Sequence, residues 1–97
     1  MKSTRIVVVQ VVDNTLSNSS GVQLQVAMNQ LLAANGIILL SFHGVINIST
    51  SFLNSSLGNL VDQHGFDILS RIRIIDYTPT VAAFLKKYIA DLKSISA

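Results

Sequence analysis

The hydrophobic pattern of the chain changes its period several times. Nearly continuous apolar runs occupy residues 5–12 and 37–42, and such runs are typical of strands with both faces at least partly covered. Residues 68–75 alternate between isoleucine and polar side chains over much of their length, which predicts a half-exposed strand. Between and after these runs, apolar residues recur at the three- and four-residue spacing of a helix. The pattern therefore predicts three strands that alternate with three helices.

The predicted helices have recognisable end signals. A Ser- and Asn-rich loop at residues 14–20 precedes the first helix, which starts at Gly21 and stops before Asn35-Gly36. The three hydroxyl residues Ser49-Thr50-Ser51 have the composition of an N-cap and predict the start of the second helix. Thr78-Pro79 provides an N-cap followed by proline at the first position of the third helix.

The order β-α-β-α-β-α predicts an α/β fold in one small domain that spans residues 1–97. Right-handed crossovers then give a mixed or mainly parallel sheet with the helices chiefly on one face. In that arrangement the opposite face of strands 5–12 and 37–42 exposes Val, Ile and Leu side chains, and a contiguous apolar patch usually marks an interface. The fold therefore predicts a homodimer, or a contact with a partner protein, through the bare face of the sheet.

Composition narrows the classes of partner. The chain is 49% hydrophobic and only 12% charged, and its formal net charge of +2 is too small for the basic field of a nucleic-acid-binding protein. It has no cysteine, which excludes disulfides and Cys-based metal sites. No run approaches the roughly 18 apolar residues of a membrane span, and the N-terminal run lacks a cleavage site. We expect a cytoplasmic protein that has neither a nucleic acid nor a membrane as its partner.

Few side chains offer catalytic or ligand-binding chemistry. The isolated glycines do not form a phosphate-binding loop, and the serines lack the spacing of a nucleophile elbow. His43 and His64, together with Asp62 or Asp67, would make a weak cation site or the active site of a small enzyme. A polar helix C-terminus with an imidazole near the negative end of the helix dipole is the simpler interpretation. The sequence thus predicts no enzyme, no catalytic residue, no metal and no cofactor.

One segment is more distinctive than the rest. The run LLSFHGVINISTSFLNSSLGNLVDQHG passes from a buried strand through a turn into a helix that starts with hydroxyl residues. A strand that ends in aromatic-x-Gly-Val, followed by Ile-Ser-x-Ser-Phe-Leu and a helix, resembles the STAS-like domain of unknown function. This bacterial family is related to the STAS domains of sulfate transporters and anti-sigma factor antagonists. The resemblance covers residues 20–92 and implies a STAS-like α/β fold.

The resemblance also implies a role for the hydroxyl residues. In anti-sigma factor antagonists the matching segment reads Ile-Asp-Ser-Ser/Thr-Gly-Leu, and a GHKL-type, histidine-kinase-like ATPase phosphorylates the first hydroxyl after the Asp. Matching by position makes Thr50 the first candidate phosphoacceptor, with Ser49 in place of the Asp and Ser51 as the next hydroxyl. Phe52 replaces the Gly, as is typical of the STAS-like relatives. A phosphate on Thr50 would lie at a helix N-terminus, which favours negative charge, whereas the alternative interpretation of the three hydroxyls is a plain helix cap.

By this resemblance, the chain is expected to be a non-enzymatic regulatory module that binds a histidine-kinase-like ATPase. The expected partner-binding residues lie at or beside the helix start: Phe52, Leu53, Asn54 and His43. Core packing is the simpler interpretation for Phe52 and Leu53. An alternative function is that of a self-assembling or inhibitory protein, from a mobile element, that blocks another protein's surface without phosphorylation. A switch would respond in opposite directions to Thr50→Ala and Thr50→Asp, whereas a steric blocker would tolerate both.

Overall fold

The parallel sheet positions the other elements of the fold. The computed structural model describes residues 3–34 and 36–96, and in it three parallel strands lie in the order β1-β2-β3. Their bounds are Ser3–Val7 for β1, Ile37–Ser41 for β2 and Ile72–Ile75 for β3. The most continuously apolar run is β2, which is the central strand. The predicted α/β fold with a mainly parallel sheet is confirmed.

Helical segments make the crossovers between the parallel strands. The α-helices are α1 (Val8–Val11), α2 (Asn18–Ala33), α3 (Thr50–Leu53), α4 (Asn59–His64) and α5 (Pro79–Ser96). A π-helical segment, Asn54–Gly58, joins α3 to α4 without a break, and a 3-10 helix, Phe66–Arg71, leads into β3. Short π-helical interruptions of this kind frequently occur at functional sites.

The two faces of the sheet differ in burial. On the core face, Ile38 and Leu40 of β2 are buried against the helices, as are Ile6 of β1 and Ile72 of β3. On the opposite face, the register places Leu39 between Arg5 and Arg73, with both arginines exposed and Leu39 half-buried. We call this second side the open face; its apolar residues are Val7, Ile37, Leu39 and Ile75, all half-buried. The predicted one-sided packing of the helices is therefore observed.

Two predicted strands are shorter than the hydrophobic runs that predict them. The chain leaves β1 at Val7 and forms α1, and the 3-10 helix occupies the first half of the predicted strand 68–75. In each segment two buried residues lie four apart, Val8 with Val12 and Ile68 with Ile72. That spacing suits one face of a strand and one side of a helical turn alike. The strand predictions for residues 8–12 and 68–71 are therefore wrong.

The helix starts follow from capping side chains. α2 begins at Asn18, before the predicted Gly21, because the Ser17 hydroxyl accepts a hydrogen bond from the Ser20 N–H at 3.2 Å. Residues 18–20 therefore belong to the helix and not to the predicted loop. Thr78 caps α5 in the same way, as predicted.

The C-terminal end of α2 is held by a side chain from a distant segment. Arg71 donates hydrogen bonds to the carbonyl oxygens of Leu32 (2.7 Å) and Gly36 (3.0 Å). These carbonyls belong to the end of the helix and the residue after it, where backbone acceptors have no partner within the helix. Asn35, predicted to stop the helix together with Gly36, lies outside the described residues.

Candidate functional site

Ser49 holds the start of α3 in place. Its hydroxyl accepts a hydrogen bond from the Phe52 N–H (3.0 Å) and donates one to the Leu16 carbonyl oxygen (2.7 Å). The Ser49 N–H donates in turn to the Thr15 carbonyl oxygen at 3.1 Å. Ser49 is therefore the N-cap that the sequence predicts, and it also ties the helix to the loop before α2. A phosphoryl group on this oxygen would break the bond to Leu16 and disturb the cap.

The hydroxyls of the next two residues, Thr50 and Ser51, do not cap the helix. Thr50 and Ser51 are the first two residues of α3, and both are exposed. Neither hydroxyl forms a hydrogen bond with any part of the chain that the structure describes. Of the three candidate phosphoacceptors, Thr50 and Ser51 are thus accessible, whereas Ser49 has a structural role.

A groove runs between this helix start and α5. Its volume is about 320 Å³, and it is lined by Thr50, Asn54, Phe84, Lys87, Tyr88, Asp91 and Leu92. We call it the Thr50 groove. The Tyr88 hydroxyl donates a 2.7 Å hydrogen bond to Asn54 Oδ1 across its floor, and burial raises the pKa of this hydroxyl. The groove therefore combines one free hydroxyl, apolar side chains and two charged residues of opposite sign, Lys87 and Asp91.

The partner-binding residues predicted by the resemblance separate into two groups. Phe52 and Leu53 are 0% and 1% exposed and pack in the hydrophobic core, so the structure replaces their expected partner contact with a packing role. The helix start turns these two side chains inward, below the capped end. Asn54 is exposed and lines the Thr50 groove, where a partner could reach it.

His43 lies elsewhere, at the carboxyl ends of the strands. It is exposed in the turn after β2, and its backbone N–H donates to the Ser41 hydroxyl at 3.3 Å. It does not line the Thr50 groove. The structure therefore does not bring His43 together with Thr50 and Asn54.

A polar cluster that the sequence reasoning missed lies near His43. Asp76 Oδ2 accepts hydrogen bonds from the Ser41 hydroxyl (2.7 Å) and from Arg5 Nη2 (2.6 Å). The bond from Ser41, followed by the bond and the charge of Arg5, lowers the pKa of the Asp76 carboxyl. Asp76 has a φ of 57°, an uncommon backbone conformation for a residue other than glycine. The cluster ties the ends of all three strands together and has the character of a structural contact.

A second feature missed from the sequence is an apolar surface beside the helix start. A groove of about 290 Å³ lies between the loops at residues 12–16 and 44–47. Three of its lining side chains are large, apolar and exposed, and the two most exposed are Leu16 at 55% and Ile46 at 78%, followed by Val9 at 45%. Leu16 stands alone in a polar stretch, so no periodic pattern indicates it, and the short run Val45-Ile46-Asn47-Ile48 does not indicate which of its apolar side chains faces the solvent.

The candidate metal ligands do not converge. His64 Nε2 lies 2.9 Å from Asn29 Oδ1, at the end of α4, while His43 is in the turn after β2. Within residues 3–34 and 36–96, no three His, Cys, Asp or Glu side chains are grouped in a way that would hold a metal ion.

Comparison with known proteins identifies one family. The family model described as STAS-like domain of unknown function matches residues 24–82, which run from α2 through β2, the Thr50 helix start and β3 to the first residues of α5. No curated protein and no solved structure matches the chain significantly. None of the helices in the described residues is both long and apolar enough to cross a membrane.

Proposed function

Because the chain belongs to the family of STAS-like domains of unknown function, we propose that it is a non-enzymatic, regulatory protein-interaction module. Its partner in this proposal is a cytoplasmic, histidine-kinase-like ATPase that docks on the helix start at residues 49–54 and on the adjoining loops. The observation that carries the proposal is the exposed Thr50 hydroxyl, at the position where related antagonists are phosphorylated and at the mouth of a groove. Exposed Leu16 and Ile46 supply apolar contact area beside it.

Phosphorylation of Thr50 would act as the switch. A phosphate adds a charge of about −1.5 to −2 at neutral pH. At Thr50 this charge would lie at the first turn of a helix, where backbone N–H groups favour an anion, in a groove that is lined by both Lys87 and Asp91. The fold would therefore tolerate the modification. A partner that docks on the unmodified helix start would meet a new, strongly hydrated charge and would bind less tightly.

We expect Thr50→Ala and Thr50→Asp to differ in partner binding. Tagged wild-type protein and Thr50→Ala should recover the ATPase from the host, whereas Thr50→Asp should recover about tenfold less. Incubation of the purified pair with ATP should add one phosphate to the wild type and to Ser51→Ala, the matched control, but none to Thr50→Ala; intact-protein mass spectrometry measures this. Equal recovery with both Thr50 variants, together with no phosphate transfer, would contradict the switch.

The open face favours a second candidate function, which is self-assembly into a homodimer that blocks another protein's surface. Leu39 occupies the centre of this face and is half-buried between two arginines. If the dimer forms here, Leu39→Asp should give a monomer in sedimentation velocity, because a carboxylate would have to be buried in the interface. Val22→Asp, which changes an exposed apolar residue of α2, is the control and should leave the dimer intact. A wild-type monomer at micromolar concentration would exclude this candidate.

A further inference from the structure

The outer edge of β3 is unoccupied by any strand of the described residues. β3 pairs with β2 on one side only, so alternate backbone N–H and C=O groups along its other side have no strand partner. A groove of about 240 Å³ lies beside this edge, between β3 and α5. Its lining is mostly apolar: Ile74, Tyr77, Ala82, Leu85, Lys86 and Ile89. We propose that β3 accepts an extended segment of a partner protein as a fourth strand, with side chains of that segment in this groove.

The register of the sheet determines which side chains of the added strand enter the groove. Ile72 and Ile74 point to the core face, towards the helices, whereas Arg73 points to the open face. An added strand alternates in the same way, so the residue opposite Arg73 lies on the open face and its two neighbours face α5. The four residues of β3 span about 13 Å, enough to pair with a short segment of this kind. The groove therefore selects apolar residues at positions i and i+2.

The charge on the surface around β3 determines which residue the added strand carries between its two apolar positions. Arg73 is exposed on the open face and forms no ion pair within residues 3–34 and 36–96, and the charged residue that lines the groove is Lys86. The nearest acid along the chain, Asp76, is already paired with Arg5 at 2.6 Å. An acidic residue at position i+1 would complement Arg73 across the two strands. The expected ligand is thus an extended apolar–acidic–apolar segment.

A second copy of this chain fits the edge less well. Antiparallel pairing of two β3 strands about a two-fold axis would bring the two Arg73 side chains close together, and like charges on paired strands are destabilising. The groove also lies on the opposite flank of α5 from the Thr50 groove, since the two share no lining residue. Binding at β3 would leave Thr50 free, so this surface goes beyond the proposed switch.

Short synthetic peptides test the proposal directly. The probe is a fluorescein-labelled nine-residue peptide with a central Val-Asp-Val, compared with the same peptide containing Val-Lys-Val. The fluorescence anisotropy of each labelled peptide, titrated with the full chain, should show that the acidic peptide binds about tenfold more tightly. Amide NMR shifts should change along residues 72–75 and at groove residues of α5. Equal binding of the two peptides, or shifts confined to the open face or to the Thr50 groove, would overturn the proposal.

Two sets of variants test whether the peptide binds at the edge of β3 and not elsewhere on the chain. Ala82→Phe fills the groove and should weaken binding of the acidic peptide about tenfold, whereas Ala83→Phe, at an exposed neighbouring position outside the lining, should not. Arg73→Glu, a surface change, should reverse the preference so that the Val-Lys-Val peptide binds better. Circular dichroism checks that each variant is folded. If Ala82→Phe and Ala83→Phe bind the acidic peptide equally well, the edge is not the binding site. The same holds if Arg73→Glu still prefers the acidic peptide to the Val-Lys-Val peptide.

Discussion

Replacing Phe52 by alanine should lower the free energy of unfolding by about 3–5 kcal/mol. Phe52 is fully buried in the core that lies between the sheet and its helices, so truncation removes apolar contacts and leaves a cavity that the surrounding side chains fill only in part. Small domains have total stabilities of only about 5–15 kcal/mol, so a loss of this size is a large fraction of the whole. Urea denaturation followed by circular dichroism measures the change.

Phe84→Ala is the matched control for this prediction. Phe84 is 37% exposed at the Thr50 groove, so its truncation removes less buried surface and leaves no enclosed cavity. We expect a loss of about 1 kcal/mol or less. If Phe52→Ala costs no more than Phe84→Ala and instead abolishes partner binding, then Phe52 contacts the partner, as the resemblance implies, and the packing role is wrong.

The parts of the site that sequence alone predicts are those set by local chemistry. The N-cap at Ser49 depends on a hydrogen bond to a residue three positions along the chain, and hydroxyl residues before an apolar helix indicate it directly. The polar residues Thr50 and Ser51 form the exposed side of the first turn, and the apolar residues Phe52 and Leu53 form its buried side. Thr78 before Pro79 is a second case of the same kind.

The features of the site and the fold that the sequence does not predict depend on long-range contacts, or on sequence patterns that are compatible with both a strand and a helix. The bond from Tyr88 to Asn54 joins residues 34 apart, and the Arg5–Asp76 pair joins residues 71 apart, so no local pattern indicates either of them. The four-residue spacing of Val8 with Val12 suits a strand and a helical turn equally, which is why the end of β1 was not predicted.

The π-helical segment also lacks a local sequence signal. Ser56 is fully buried within it, and its hydroxyl donates to the Phe52 carbonyl oxygen at 2.8 Å. A buried hydroxyl must find an acceptor, and here the acceptor is the backbone of the preceding turn. Apolar residues of this segment such as Leu53 and Leu57 recur at helical spacing and are buried, but that spacing does not indicate the shift from α to π geometry. Periodicity predicts which side of a helix is buried but does not resolve a single wider turn.

The same carbonyl of Phe52 leaves no room for a side chain at Gly21. A Cβ atom at Gly21 would lie 2.5 Å from the Phe52 carbonyl oxygen and 2.6 Å from Ser55 Cβ. Both atoms lie on or next to the backbone of the opposing helix, so neither moves without shifting α3 and the π-helical segment relative to α2. We therefore expect Gly21→Ala to lower the free energy of unfolding by about 2–3 kcal/mol. In an open helix the same change would stabilise by up to about 1 kcal/mol, so the clash reverses the sign.

Gly58 provides the matched control, because it is a helical glycine whose added Cβ meets only a side-chain end closely. That Cβ would lie 2.7 Å from the Tyr88 hydroxyl oxygen, which a Tyr88→Phe change removes. Gly58→Ala in the Tyr88→Phe background should therefore change stability by less than about 1 kcal/mol, whereas Gly21→Ala should remain costly in the same background. Thermal and urea unfolding of the wild type, Gly21→Ala, Tyr88→Phe and the two double variants measures this. If Gly21→Ala is neutral, α2 and the Thr50 helix are not in backbone contact, and the position of the candidate switch does not depend on α2.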